Sequence, residues 1–198
     1  PGSILSANNL VQGNAIGTQA DGVSALGNTR NGIALGLAAG SAVGGTANGA
    51  GNVLAFNGSA GVAVISSAGV LLLGNAIFSN TGLGIDLIPF AGVTANDNCD
   101  ADTGANNSQN FPVLSSALSG VGFTTIQGTL NSEASTDYRL EFFASPACAA
   151  SGNGEGATYL GTTNVSTNAA CNATWFAVNL SRANRRSVTG VRPRAPIQ

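Results

Sequence analysis

Apolar residues along this chain come in short runs split by Asn, Gly and Ser. In residues 52–87 the runs are Val53-Leu54, Val62 to Ile65 and Val70 to Leu73. Runs that short, bounded by turn formers, predict strands and not helices. Slid along itself by 23 residues, the stretch matches: Asn52 falls on Asn75, Asn57 on Asn80, Gly61 on Gly84, Val62 on Ile85 and Val64 on Leu87. About three short strands in each ~23-residue period is the pattern of one coil of a parallel β-helix.

Such a coil makes specific demands. Strands of successive coils stack ~4.8 Å apart, so equivalent residues lie above one another. The pattern predicts Val53, Val62, Val64, Ile77, Ile85 and Leu87 pointing inward. Asn57 and Asn80 should stack as an amide ladder. Gly61 and Gly84 suit corners that need positive φ. These asparagines and glycines are read as structural, not as ligands.

An earlier coil is visible upstream. Asn9 to Asn14 matches Asn52 to Asn57, while Gly32 to Leu35 matches Gly61 to Val64. The two offsets, 43 and 29, differ by a 14-residue extra loop within residues 15–30. It carries Asp21 and Arg30 and is read as a solvated excursion. Residues 36–51 are too Gly-rich for a helix.

Strings at 13–33, at 44–54 (G-G-T-A-N-G-A-G-N-V-L) and at 77–87 (I-F-S-N-T-G-L-G-I-D-L) resemble a family of bacterial right-handed parallel β-helix repeat proteins of pectin-lyase-like fold. The resemblance covers residues 8–115. It implies a large exported or surface protein, and it says more about fold and compartment than about activity.

Residues 113–180 change period. Alternation at 123–130, 138–143, 158–162 and 173–178, with turns between, predicts a small antiparallel β-sandwich. The string L-E-F-F-A-S-P-A-C at 140–148 and G-E-G-A-T-Y-L-G-T-T at 154–163 resemble a sandwich module that follows the coils in the same family. Trp175 and Phe143 are expected in its core. The expected organisation is therefore all-β: about three coils in 1–90, an Asp/Asn-rich linker in 91–112, the sandwich in 113–180 and an Arg-rich tail in 181–198.

Composition narrows the chemistry. The chain has 198 residues, 28 of them Gly, and only 8 % charged residues. There is no His, which removes the commonest general base and neutral metal ligand. A net charge of −2 gives no overall basic field for nucleic acid, although five of the seven arginines fall in the tail. No apolar run reaches the ~18 residues a membrane helix needs. Pro1-Gly2-Ser3 does not open a signal peptide, so a processed product or a fragment is expected, with an extracellular or cell-surface location. Three cysteines without a CxxC suit one disulfide and one odd thiol. Cys148 and Cys171 lie in loops that a sandwich can bring together, and they are the expected pair.

The one acidic cluster is Asp97, Asp100 and Asp102, followed by Gly104, Asn106 and Asn107. Alternating Asp with a nearby Gly resembles the front half of a calcium loop, although no acidic residue closes it. The expected ligands are Asp97, Asp100, Asp102 and Asn107; the alternative is a polar linker with carboxylates facing water.

No catalytic residues are predicted. The coils offer only Asp21, Asp86 and Arg30, and a lone carboxylate is not a glycosidase pair. Two functions stay open. One is a non-catalytic structural or adhesive module of an exported protein. The other is a carbohydrate-binding or carbohydrate-active β-helix protein, since fold alone does not give function. Further coils or neighbouring chains are expected at an open solenoid end.

Overall fold

A computed structural model describes residues 7–88, 92–149, 151–181 and 192–194. The first half is nine short strands: β1 (Leu10–Val11), β2 (Ala15–Ile16), β3 (Ile33–Gly36), β4 (Ala42–Gly44), β5 (Val53–Ala55), β6 (Val62–Ile65), β7 (Leu71–Leu73), β8 (Ala76–Phe78) and β9 (Ile85–Ile88). They pair in parallel as three sheets, β1-β4-β7, β2-β5-β8 and β3-β6-β9. Each sheet takes one strand from each of three coils, the arrangement of a short β-helix.

The register bears out the 23-residue repeat. Val62 pairs with Ile85 and Val64 with Leu87. Val62, Val64 and Ile77 are fully buried, and Ile85 and Leu87 pack against the same core at its edge. Val53 does not point inward as expected. Leu54, in register with Ile77, fills the interior and Val53 is half-buried. The strand is only three residues long, too short for alternation to say which of two adjacent apolar residues faces in.

Two further expectations are corrected. Residues 9–14 do not stack on 52–57: Leu10 and Val11 pair with Ala42 and Val43, and Asn14 bonds to Asn52. The separation between stacked asparagines falls from 38 at Asn14 to 29 at Asn28, so the excursion is nine residues and not 14. Its Asp21 accepts the N–H groups of Val23 and Ser24 and stays exposed. At the corners, positive φ is carried by Phe56 (60°) and Ser79 (54°), one repeat apart. Gly61 is there for space: a Cβ on it would lie 2.5 Å from Ile77 Cγ2 and 2.8 Å from the Gly84 carbonyl oxygen.

The second half is antiparallel. It contains β10 (Val113–Ser119), β11 (Phe123–Asn131), β12 (Asp137–Ala144), β13 (Thr158–Ser166), β14 (Asn172–Ser181) and β15 (Arg192–Arg194), in two sheets, β10-β11-β14 and β13-β12-β15. Ile126, Leu130, Tyr138, Leu140, Phe142, Val165, Trp175 and Leu180 form the core between them. Two arginines expected in a tail, Arg192 and Arg194, thus belong to a strand paired with β12. Arg182, Arg185 and Arg186 lie outside the described residues. Among the described residues no helix is long and apolar enough to cross a membrane.

Strand alternation gives β12 two faces. Tyr138, Leu140 and Phe142 enter the sandwich core; Glu141 and Phe143 are buried on the opposite face. Phe143 is therefore buried as expected, but outside the main core cluster. Its face meets the last coil.

Candidate functional site

Buried polar groups run through the coils and meet others at the junction with the sandwich. Two amide ladders run through the coils. In one, the side-chain Nδ2 of Asn14 donates to Asn52 Oδ1, and that of Asn52 to Asn75 Oδ1. In the other, Asn28 Nδ2 donates to Asn57 Oδ1 at 2.9 Å and Asn57 Nδ2 to Asn80 Oδ1 at 2.8 Å. The backbone N–H of each donor asparagine goes to the same oxygen. Asn52, Asn57, Asn75 and Asn80 are all buried. Buried amides are tolerable only when so satisfied. The expected Asn57–Asn80 stack is present.

The sandwich ends the second ladder and meets the coil beside the first. Glu155, buried, accepts from the backbone N–H and Nδ2 of Asn80, the latter at 2.8 Å. Gly156 then makes an antiparallel bridge with Ile77, two backbone hydrogen bonds of 2.8 Å. Glu141, also buried, accepts the Gly74 N–H through Oε2 at 2.8 Å and the Arg139 guanidinium through Oε1. The one-turn 3₁₀ element Ala105–Ser108 supplies the rest. Asn106 donates its N–H to the Ser67 carbonyl and brackets Val70, accepting its N–H and donating to its carbonyl, each at 2.8 Å. Ala105 joins the coil core. These groups stand where a fourth coil would stand.

The sequence reading missed Glu141, Glu155 and Asn106. One signal existed: Glu141 is a carboxylate between Leu140 and Phe142, in the buried middle of its strand. A charge there must find a partner. Glu155, between two glycines, gave none.

The acidic loop lies beside this junction. Ligand oxygens of Asp97, Asp100 and Asp102 come within 4.8 Å of one another. Asp100 Oδ1 accepts the Asn110 N–H, and its Oδ2 accepts from Gln109 Nε2 and the Ser132 hydroxyl. Asp97 accepts the Ala101 N–H. Asp102 Oδ1 is shielded from water and has no hydrogen-bond partner among the described residues. Desolvation raises the Asp100 carboxyl above its ordinary range, and the hydrogen bonds from Ser132 and Asn110 partly offset this. Desolvation and then the charges of Asp97 and Asp100 raise Asp102. Asn107, the fourth expected ligand, is exposed, with its N–H donated to the Gly104 carbonyl. The carboxylates thus converge as the spacing suggested, and they are the groups here that could hold a hard cation.

The loop is pinned to the sandwich. The Cys99 N–H donates to Asn131 Oδ1 at 2.7 Å, and Asn110 Nδ2 donates to the Asn131 carbonyl. The disulfide joins Cys99 to Cys171, with Cα atoms 5.2 Å apart, and Cys148 is an exposed free thiol. This overturns the expected Cys148–Cys171 bond. Cys171 precedes β14 at the end where Asn172 pairs with Asn131, the residue that holds Cys99. Cys148 follows the far end of β12.

On the coils, Asp86 pairs with Ala63 and is half-buried; burial raises its carboxyl, and its Oδ1 has no hydrogen-bond partner among the described residues. Compared with models of known protein families and with curated proteins, the chain gives no match.

Proposed function

We propose that this chain is a non-catalytic structural or adhesive module of an exported bacterial surface or secreted protein. In it, a right-handed parallel β-helix of pectin-lyase-like type is closed at one end by a β-sandwich. The observation that carries the reading is the Asn80–Glu155 contact. A carboxylate from the sandwich takes the place of the next asparagine, so the sandwich acts as a cap and protects strand edges that would otherwise pair with other chains. The Cys99–Cys171 bond suits an oxidising, extracellular setting. The coil carboxylates support no hydrolytic pair: Asp21 is absorbed in its own turn, and Asp86 stands in a strand opposite Ala63.

We propose in addition that Asp97, Asp100 and Asp102 hold calcium in a structural role. Three carboxylates this close repel one another, and a divalent cation relieves the repulsion. It would fix the loop that joins the last coil to the sandwich.

The test has two arms. Glu155→Ala together with Glu141→Ala should lower stability and make the chain associate; retained stability and a monomeric state would overturn the capping role. Incubation with a panel of neutral and acidic polysaccharides in calcium should release no new reducing ends or unsaturated products. Turnover that Asp86→Asn abolishes would establish the carbohydrate-active alternative instead.

A further inference from the structure

The amide ladders have a direction, and it restricts what can bind the open end of the solenoid. Each asparagine gives its backbone N–H and its Nδ2 to the Oδ1 of the next coil. The backbone N–H is a donor without ambiguity, so the atom it meets must be the amide oxygen. That fixes the orientation of Asn52, Asn57, Asn75 and Asn80. Asn14 and Asn28 then point Nδ2 into the ladder and leave Oδ1 over. Turning either amide round would break its bond to Asn52 or Asn57. Among the described residues no donor reaches Asn14 Oδ1 or Asn28 Oδ1, and both residues are exposed.

The two ends therefore differ in kind. At the far end Glu155 accepts and, when ionised, has nothing to pass on, so the ladder stops. At the near end two oxygens await donors. Among the described residues, strands β1, β2 and β3 are each paired on one side only in their three-stranded sheets, and Leu10 is 64 % exposed.

We propose that this end takes one kind of partner: a further parallel β-coil carrying asparagines at both ladder positions. Such a coil brings a backbone N–H and an amide N–H to each waiting oxygen. A second copy of this chain does not fit. Its open end offers Asn14 and Asn28 oxygens against the same oxygens, acceptor on acceptor. Its other end is covered by Glu141, Glu155 and Asn106. The stack grows in one direction only. This deepens the reading of the chain as a stacking module and rests on it.

The experiment adds a coil to the full chain. A copy of the chain's own segment 52–69 is joined ahead of Asn9, and melting, sedimentation and amide exchange are measured. The added coil should raise the melting temperature by several degrees and slow exchange in β1, β2 and β3. The same copy with Asn52→Asp and Asn57→Asp should do both much less, because each carboxylate removes the side-chain donor and sets a second acceptor against the waiting oxygen. The unextended chain should sediment as a monomer. Equal stabilisation by both copies, or by neither, overturns the proposal. So does a dimer of the unextended chain that Asn14→Asp with Asn28→Asp abolishes. If the glutamate substitutions above lower stability but the added coil has no effect, the capping role stands and this inference fails alone. If the glutamate substitutions have no effect, the capping role itself fails.

Discussion

Asn80 and Glu155, 75 residues apart in sequence, meet in a buried hydrogen bond of 2.8 Å. Removing the acceptor leaves the buried backbone N–H of Asn80 unpaired, while its Nδ2 keeps the Leu54 and Phe78 carbonyls. Glu155→Ala should cost about 2 kcal/mol, since an unsatisfied buried group costs roughly 1–3 kcal/mol. Glu155→Gln keeps one amide oxygen and should cost about half as much. Urea melts of the two variants check this; equal effects would mean that the carboxylate serves packing and not the ladder.

The interior position on the second sheet is a sharp test of the fold. Leu54→Ala should lose about 2–5 kcal/mol, the usual range for a buried leucine. Val53→Ala, half-buried in the same strand, should lose well under half of that. The reverse order would restore the arrangement expected from the repeat alone.

Thiol counting under denaturing conditions should find one free thiol, and labelling should map it to Cys148. Cys99→Ser should destabilise by about 4 kcal/mol, the chain-entropy value for closing a long loop; its sequence separation is 72. Cys148→Ser should leave stability unchanged. Label on Cys99 or Cys171 instead would refute the pairing.

The acidic loop has a pH signature of definite sign. Asp100 and Asp102 have folded-state pKa values raised above the ordinary 3.8. The folded state therefore holds their protons more tightly than the unfolded state. Their contribution to stability is full below the unfolded value of 3.8 and is lost as pH rises through the raised folded values. Without calcium, Asp102→Asn should raise the melting temperature at pH 7 and leave it unchanged at pH 3. With calcium the unsubstituted chain should gain about 2.7 kcal/mol at 100-fold excess over Kd, and Asp102→Asn should lose that gain. A melting temperature that is the same in calcium and in chelator leaves the loop a polar linker.

The sequence alone determined the repeat, the parallel stacking of Val62 on Ile85, the Asn57–Asn80 ladder and the alternating strands of the sandwich. These are local or periodic properties: spacing sets which residues share a face, and a repeat sets which lie above one another. The grouping of Asp97, Asp100 and Asp102 was legible for the same reason, being contained in one short loop. Only the tertiary structure decided the rest. Leu54 in place of Val53, the Leu10–Ala42 pairing and the Cys99–Cys171 bond all depend on which distant segments close on one another. Glu141 and Glu155 gain their role from the same cause. A buried carboxylate must meet donors, but the chain does not say locally that those donors are Gly74 and Asn80. Docking the sandwich on the last coil supplies them.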